Sequence, residues 1–84
     1  PGPLAGPLLL RILRETQGTA LAVSDDAIRQ AITTFAKAGF WLSPEGAALL
    51  PALRQLRADG WLHAGERVVL LNTGSGLVYP DVQP

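Results

Sequence analysis

The chain has 84 residues, no cysteine, no methionine and one histidine, and its seven basic side chains balance its seven acidic ones. This length allows one domain at most, and a chain this short buries only about 60% of the surface its unfolded form exposes. Without cysteine, and with His63 as the single imidazole, a disulfide scaffold, thiol chemistry, iron–sulfur clusters and structural zinc are excluded; zero net charge also lacks the clustered basic excess of a nucleic-acid reader.

Position 1 is Pro rather than Met, so the expectation is a processed or trimmed N-terminus, or a stretch internal to a longer chain. A first helix is expected over residues 7–17. Pro7 suits its first turn, and Gly18 suits a left-handed residue just past its end. Leu8, Leu9, Leu10, Ile12 and Leu13 cover more than one face, which predicts burial on two sides or a missing partner. Arg11 and Arg14 interrupt this run, which falls far short of the roughly 20 apolar residues of a membrane span. No basic stretch precedes it and no cleavage site follows, so the chain is expected to be soluble and cytoplasmic, with no membrane partner.

Thr19-Ala20-Leu21-Ala22-Val23 fits a short buried strand. Ser24 follows as a helix N-cap, with Asp25 and Asp26 favoured by the dipole of the first turn. The second helix is expected over residues 25–38, with Ile28, Ala31, Ile32, Phe35 and Gly39 as its inward stripe. Gly39 ends it, and Phe40 folds back towards Phe35. Ser43-Pro44-Glu45 is a second helix start, with N-cap, first-turn Pro and first-turn acid in order. That third helix reaches Asp59, with Leu49, Leu50, Leu53 and Leu56 on its apolar face. Pro51 lies inside it and costs about 3 kcal/mol in a regular helix, so a kink or a later start is expected. Gly60 terminates it, and Trp61 is expected against Leu56.

After a turn at His63-Ala64-Gly65, residues 67–71 read as a second strand. Val68-Val69-Leu70-Leu71 is apolar at every position, as in strands buried on both faces of a parallel sheet. The order is helix, strand, helix, helix, strand. Two buried strands joined by helices imply an α/β unit with a right-handed crossover. Two strands alone do not make a sheet, so the expected fold is α/β, a fragment of a larger parallel-sheet, three-layer domain. Residues 1–84 belong to that one domain, and no second domain is expected.

The loop Asn72-Thr73-Gly74-Ser75-Gly76 follows the second strand. Ligands of open α/β sheets bind outside the carboxyl ends of strands. Two glycines admit a close backbone approach, and Thr73 and Ser75 offer hydroxyls. A dinucleotide fingerprint would need a helix right after the glycines, and Pro80 opposes one. No Gly-Lys-Ser/Thr is present, so this is not a P-loop.

Arg67-Val68-Val69-Leu70 leading into Leu71-Asn72-Thr73-Gly74-Ser75-Gly76-Leu77 closely resembles the end of threonine synthases. These are pyridoxal-phosphate enzymes of the tryptophan-synthase β fold type, fold type II. Ser43-Pro44-Glu45-Gly46-Ala47-Ala48 resembles a Pro-Glu-Gly-Ala-Ala that opens a late helix in that family. Val23-Ser24-Asp25-Asp26-Ala27-Ile28 resembles its strand-to-helix step, and residues 3–18 resemble the helix before it. The three motifs stand in order and span nearly the whole chain. Val78 departs from the family, which often has Lys there.

The resemblance implies that the chain is the C-terminal part of a pyridoxal-phosphate-dependent catalytic domain. It implies a parent enzyme that converts O-phosphohomoserine to threonine and phosphate, or acts as a serine/threonine dehydratase of the same fold. In that family a hydroxyl at the end of the last strand meets the pyridine nitrogen of the cofactor, which falls on Thr73 here. Gly74 would then let the ring edge come close, and Asn72 would shape the turn. Glu45 and Gly46 lie towards the cofactor side in the family, although first-turn and turn roles explain them equally well. The lysine that holds the cofactor and the Gly-rich phosphate loop belong to earlier parts of such enzymes. Lys37 is the only lysine present and sits where a cation suits a helix C-terminus, so this chain alone is expected to catalyse nothing. No residue is assigned a catalytic or metal-binding role.

Other constellations read as structural. His63 reads as a surface turn residue, Asp25-Asp26 as a dipole pair, and Trp41 and Trp61 as packing residues after helix-ending glycines. A rival of another class is a winged-helix DNA-binding module. In it the segment around Leu53 to Leu62 would be the recognition helix and residues 67–70 part of the wing. Against it, that helix carries only Arg54 and Arg57, and no nucleic-acid partner is expected. Apolar residues beyond the needs of so small a core predict self-association, as a homodimer or larger.

Overall fold

Ser24 and Ser43 start the helices that hold the core. Ser24 Oγ accepts a hydrogen bond from the Ala27 N–H at 3.1 Å, and Ser43 Oγ accepts one from the Gly46 N–H at 3.2 Å. In each case a side chain satisfies an N–H that the first helical turn leaves without a partner. In the computed structural model, which describes residues 5–78, the elements are α1 (Gly6–Thr16), α2 (Asp25–Lys37), α3 (Pro44–Ala47), α4 (Leu49–Ala58) and a 3₁₀ turn at Gly76–Val78.

The ends follow local chemistry, with one change. Gln17, not Gly18, takes the left-handed conformation after α1 (φ 57°). Its N–H and that of Gly18 both turn back to the Leu13 carbonyl. Gly39 ends α2 at φ 94°, and the Phe40 N–H bonds the Phe35 carbonyl at 2.9 Å. Gly60 does the same after α4 at φ 81°, where the N–H returning to Leu56 belongs to Leu62. Trp61 is 49% exposed.

The expected third helix is two helices. The helix is interrupted at Ala48, which still donates to the Pro44 carbonyl at 2.9 Å and accepts from the Ala52 N–H at 3.1 Å, and α4 begins at Leu49, so Pro51 falls in its first turn. There a missing N–H costs little. The proline has set a later start rather than a kink.

The core lies where α2 packs against α3 and α4. Ala31, Ile32 and Ala47 are buried, with Ile28, Phe35, Leu42 and Leu50 against them. α1 buries none of its residues, so of the two expectations for it, burial on two sides within the chain is not met. The two runs expected as strands, residues 19–23 and 67–71, form no ladder among the described residues. The only β pairing described is one antiparallel bridge, Leu42 with Ser75. A parallel strand gains its hydrogen bonds only from neighbours of its own sheet, and these two runs do not pair with each other. A winged-helix hairpin after α4 is likewise missing among the described residues. No described helix is long and apolar enough to cross a membrane.

Candidate functional site

The loop at residues 72–76 is held against residues 41–46 by a short antiparallel seam. Its centre is the Leu42–Ser75 bridge. One step along, the Gly76 N–H donates to the Trp41 carbonyl at 3.1 Å. A step the other way, Gly74 lies over Ser43: a methyl group on Gly74 would stand 2.8 Å from Ser43 Oγ and 3.0 Å from its Cβ. A methyl on Gly76 would overlap the Trp41 indole, and one on Gly46 would overlap the Asn72 amide oxygen. None of these three glycines has a positive φ, so what each supplies is space.

Asn72 completes the loop by donating from Nδ2 to the Gly74 carbonyl at 2.9 Å, spanning Thr73. Past the seam, Ser75 Oγ accepts from the Leu77 N–H at 3.2 Å and starts the 3₁₀ turn. Ser43 is fully buried under Gly74. Thr73 is therefore fixed on both flanks while remaining exposed. Its hydroxyl makes no hydrogen bond among the described residues, so it does not spend its donor on the local backbone as loop Thr residues often do. Beside the loop a cavity of about 170 Å³ is lined by Phe35, Phe40, Leu42, Leu49, Leu70 and Asn72.

Of the residues singled out in sequence, the structure brings together Asn72, Thr73 and Gly74 with Ser43 and Gly46. His63 is exposed, and its backbone N–H donates to the Glu66 carboxylate at 3.3 Å. Lys37 is exposed at the C-terminal end of α2. Asp26 lies 3.7 Å from Arg29 on the exposed side of α2. Among the described residues no group of three or more His, Cys, Asp or Glu side chains can hold a metal ion. Pro80, expected to bar a helix after the loop, lies outside the described residues.

From the sequence Ser43 reads as a helix cap and Trp41 as a packing residue, and Gly76 as room for a ligand rather than for the Trp41 indole. The signal was present as spacing: aromatic, Leu, Ser against Gly, Ser, Gly is an antiparallel match of large residues to small ones. It becomes visible only once the register is known.

A pyridine nitrogen needs a hydrogen-bond partner, and the Thr73 hydroxyl is exposed and makes no hydrogen bond among the described residues. On the side where Gly74 would carry a side chain, Ser43 fills the space. The chain matches the family model described as pyridoxal-phosphate dependent enzyme over residues 1–74. It is 34% identical over 80 residues to the threonine synthase of Methanocaldococcus jannaschii, covering 94% of this chain and 20% of that protein. It is 36% identical over 69 residues to the threonine synthases of Mycobacterium tuberculosis and Mycobacterium bovis, covering 81% of this chain and 19% of each. The chain thus spans about a fifth of the length of these curated relatives. No solved structure matches it significantly.

Proposed function

We propose that this chain, which belongs to the pyridoxal-phosphate-dependent enzyme family, is the C-terminal segment of a threonine synthase-like enzyme that converts O-phosphohomoserine and water to threonine and phosphate. The carrying observation is the Thr73 hydroxyl, exposed and without a hydrogen bond among the described residues, on a loop held on both sides. Pyridoxal phosphate, when bound, supplies an electron sink for carbanion chemistry. Thr73 is the residue that would hold its pyridine nitrogen. A neutral hydroxyl leaves that nitrogen largely unprotonated, where a carboxylate would keep it cationic. Asn72 holds the turn that presents the hydroxyl, and Gly74 admits Ser43 beneath it.

In the same reading, residues 19–23 and 67–71 are strands of the parent's parallel sheet and gain their ladder partners there. The parent is a soluble cytoplasmic homodimer with a small amino-acid substrate. The 84-residue chain alone is inactive, since Lys37 is its only lysine and stands exposed at a helix end.

The complete gene product should release phosphate and threonine in equal amounts from O-phosphohomoserine. Formation of a 2-oxo acid from serine or threonine instead would assign it to the dehydratases. In the complete enzyme, Thr73→Val should weaken cofactor binding about tenfold, the value of one hydrogen bond of roughly 1.4 kcal/mol. Unchanged affinity and turnover would remove the pyridine role.

A further inference from the structure

We propose that Ser43 is a positioning residue for Thr73, acting through the glycine seam. The inference rests on the cofactor role proposed for Thr73 and adds the part that sets where that hydroxyl stands.

Three contacts carry it. Ser43 is fully buried, and its side chain fills the space that a Gly74 side chain would occupy. Its hydroxyl is tied down by the Gly46 N–H at 3.2 Å, so the surface under Gly74 does not move with a free rotor. Gly46 in turn abuts Asn72, whose amide closes over Thr73 onto Gly74. The chain of contact runs Ser43 to Gly74, and Ser43 to Gly46 to Asn72, and meets from both sides at Thr73.

Two glycines make the arrangement specific. Gly74 does not have a positive φ, so alanine suits its backbone and only the Ser43 side chain opposes it. Gly46 is helical, and the nearest atoms a methyl would meet there are those of the Asn72 side chain. The Ser43–Gly74 pair is therefore a matched large–small pair, and its two members are exchangeable in principle. Glycine is also an acceptable N-cap, little worse than Ser. Ser43→Gly should thus leave α3 formed while removing what supports Gly74.

The test uses the complete enzyme with pyridoxal phosphate as probe. Gly74→Ala should raise the cofactor dissociation constant about tenfold or more, a displacement effect of the kind that misplaced groups produce, and should shift the absorption and emission of the bound cofactor as Thr73→Val does. The double variant Ser43→Gly with Gly74→Ala should restore both to within about threefold of wild type, because the methyl then has room. Ser43→Gly alone should speed amide hydrogen exchange at residues 72–74 of the cofactor-free enzyme, with the rest of the chain unchanged.

A merely structural Ser43 would leave the double variant as impaired as Gly74→Ala, and that result would overturn the proposal. If Gly74→Ala does not fold, unchanged exchange in Ser43→Gly would overturn it equally. If Thr73→Val is silent while the double variant still rescues folding, the cofactor reading fails rather than the seam. If Thr73→Val impairs binding and Gly74→Ala does not, the seam fails alone.

Discussion

Gly39 and Gly74 both resist alanine, for opposite reasons. Gly39 sits at φ 94° with open space around the position of a side chain. Alanine there pays for an unfavourable backbone conformation, about 1 kcal/mol, while Asn, which tolerates the left-handed region, should pay less. Gly74 has an ordinary backbone and a crowded neighbour. Denaturant unfolding of Gly39→Ala and Gly39→Asn in the complete protein should therefore rank Gly above Asn above Ala, with no change in cofactor affinity. Equal losses for Asn and Ala would mean that space, not φ, is limiting at Gly39. A composition count treats the two glycines alike, which is why the helix-ending ones were legible in the sequence and the seam glycines were not. A C-terminal glycine is announced by the helix pattern before it. Gly74 and Gly76 are explained only by Ser43 and Trp41, some 30 residues away.

At the scale of elements, what was legible is what local hydrogen bonding decides. Ser24, Ser43, Gly39 and Gly60 bound their helices as their residue types require. Pro51 announced an interruption, and the structure resolves it as a break at Ala48 that leaves the proline in a first turn. Pro51→Ala should therefore change stability by less than about 1 kcal/mol, whereas relief of a proline inside a continuous helix would gain about 3 kcal/mol. A gain near the larger figure on urea unfolding would mean that α3 and α4 form one strained helix. Ser24→Ala should cost about 1 kcal/mol through loss of the bond to the Ala27 N–H. The strands at residues 19–23 and 67–71 stayed out of reach because a strand is a relation between segments. Their composition states what would bury them but not what they pair with.

The whole molecule carries more apolar surface than its small core uses. Leu8, Leu9 and Leu10 on α1 are 56%, 48% and 55% exposed, and Val69 and Leu71 are 87% and 76% exposed. Among the described residues the buried apolar set is Ala31, Ile32 and Ala47, most of it methyl groups. At about 25 cal/mol per Å² of apolar area removed from water, large side chains left exposed favour association with any surface that covers them. Zero net charge offers no general repulsion against it. The surplus lies in two places: around a helix that buries nothing, and along residues 67–71, which make no backbone hydrogen bond among the described residues. The 84-residue chain alone should sediment as a dimer or larger species whose mass rises with concentration. It should also bind an apolar dye that the complete enzyme does not. Leu9→Lys with Val69→Lys should move it towards monomer by placing a charge on each surface, without touching the residues around Ile32. A stable monomer that binds no dye would mean that these side chains are covered within the chain itself, and that α1 and residues 67–71 pack where the structure leaves them open.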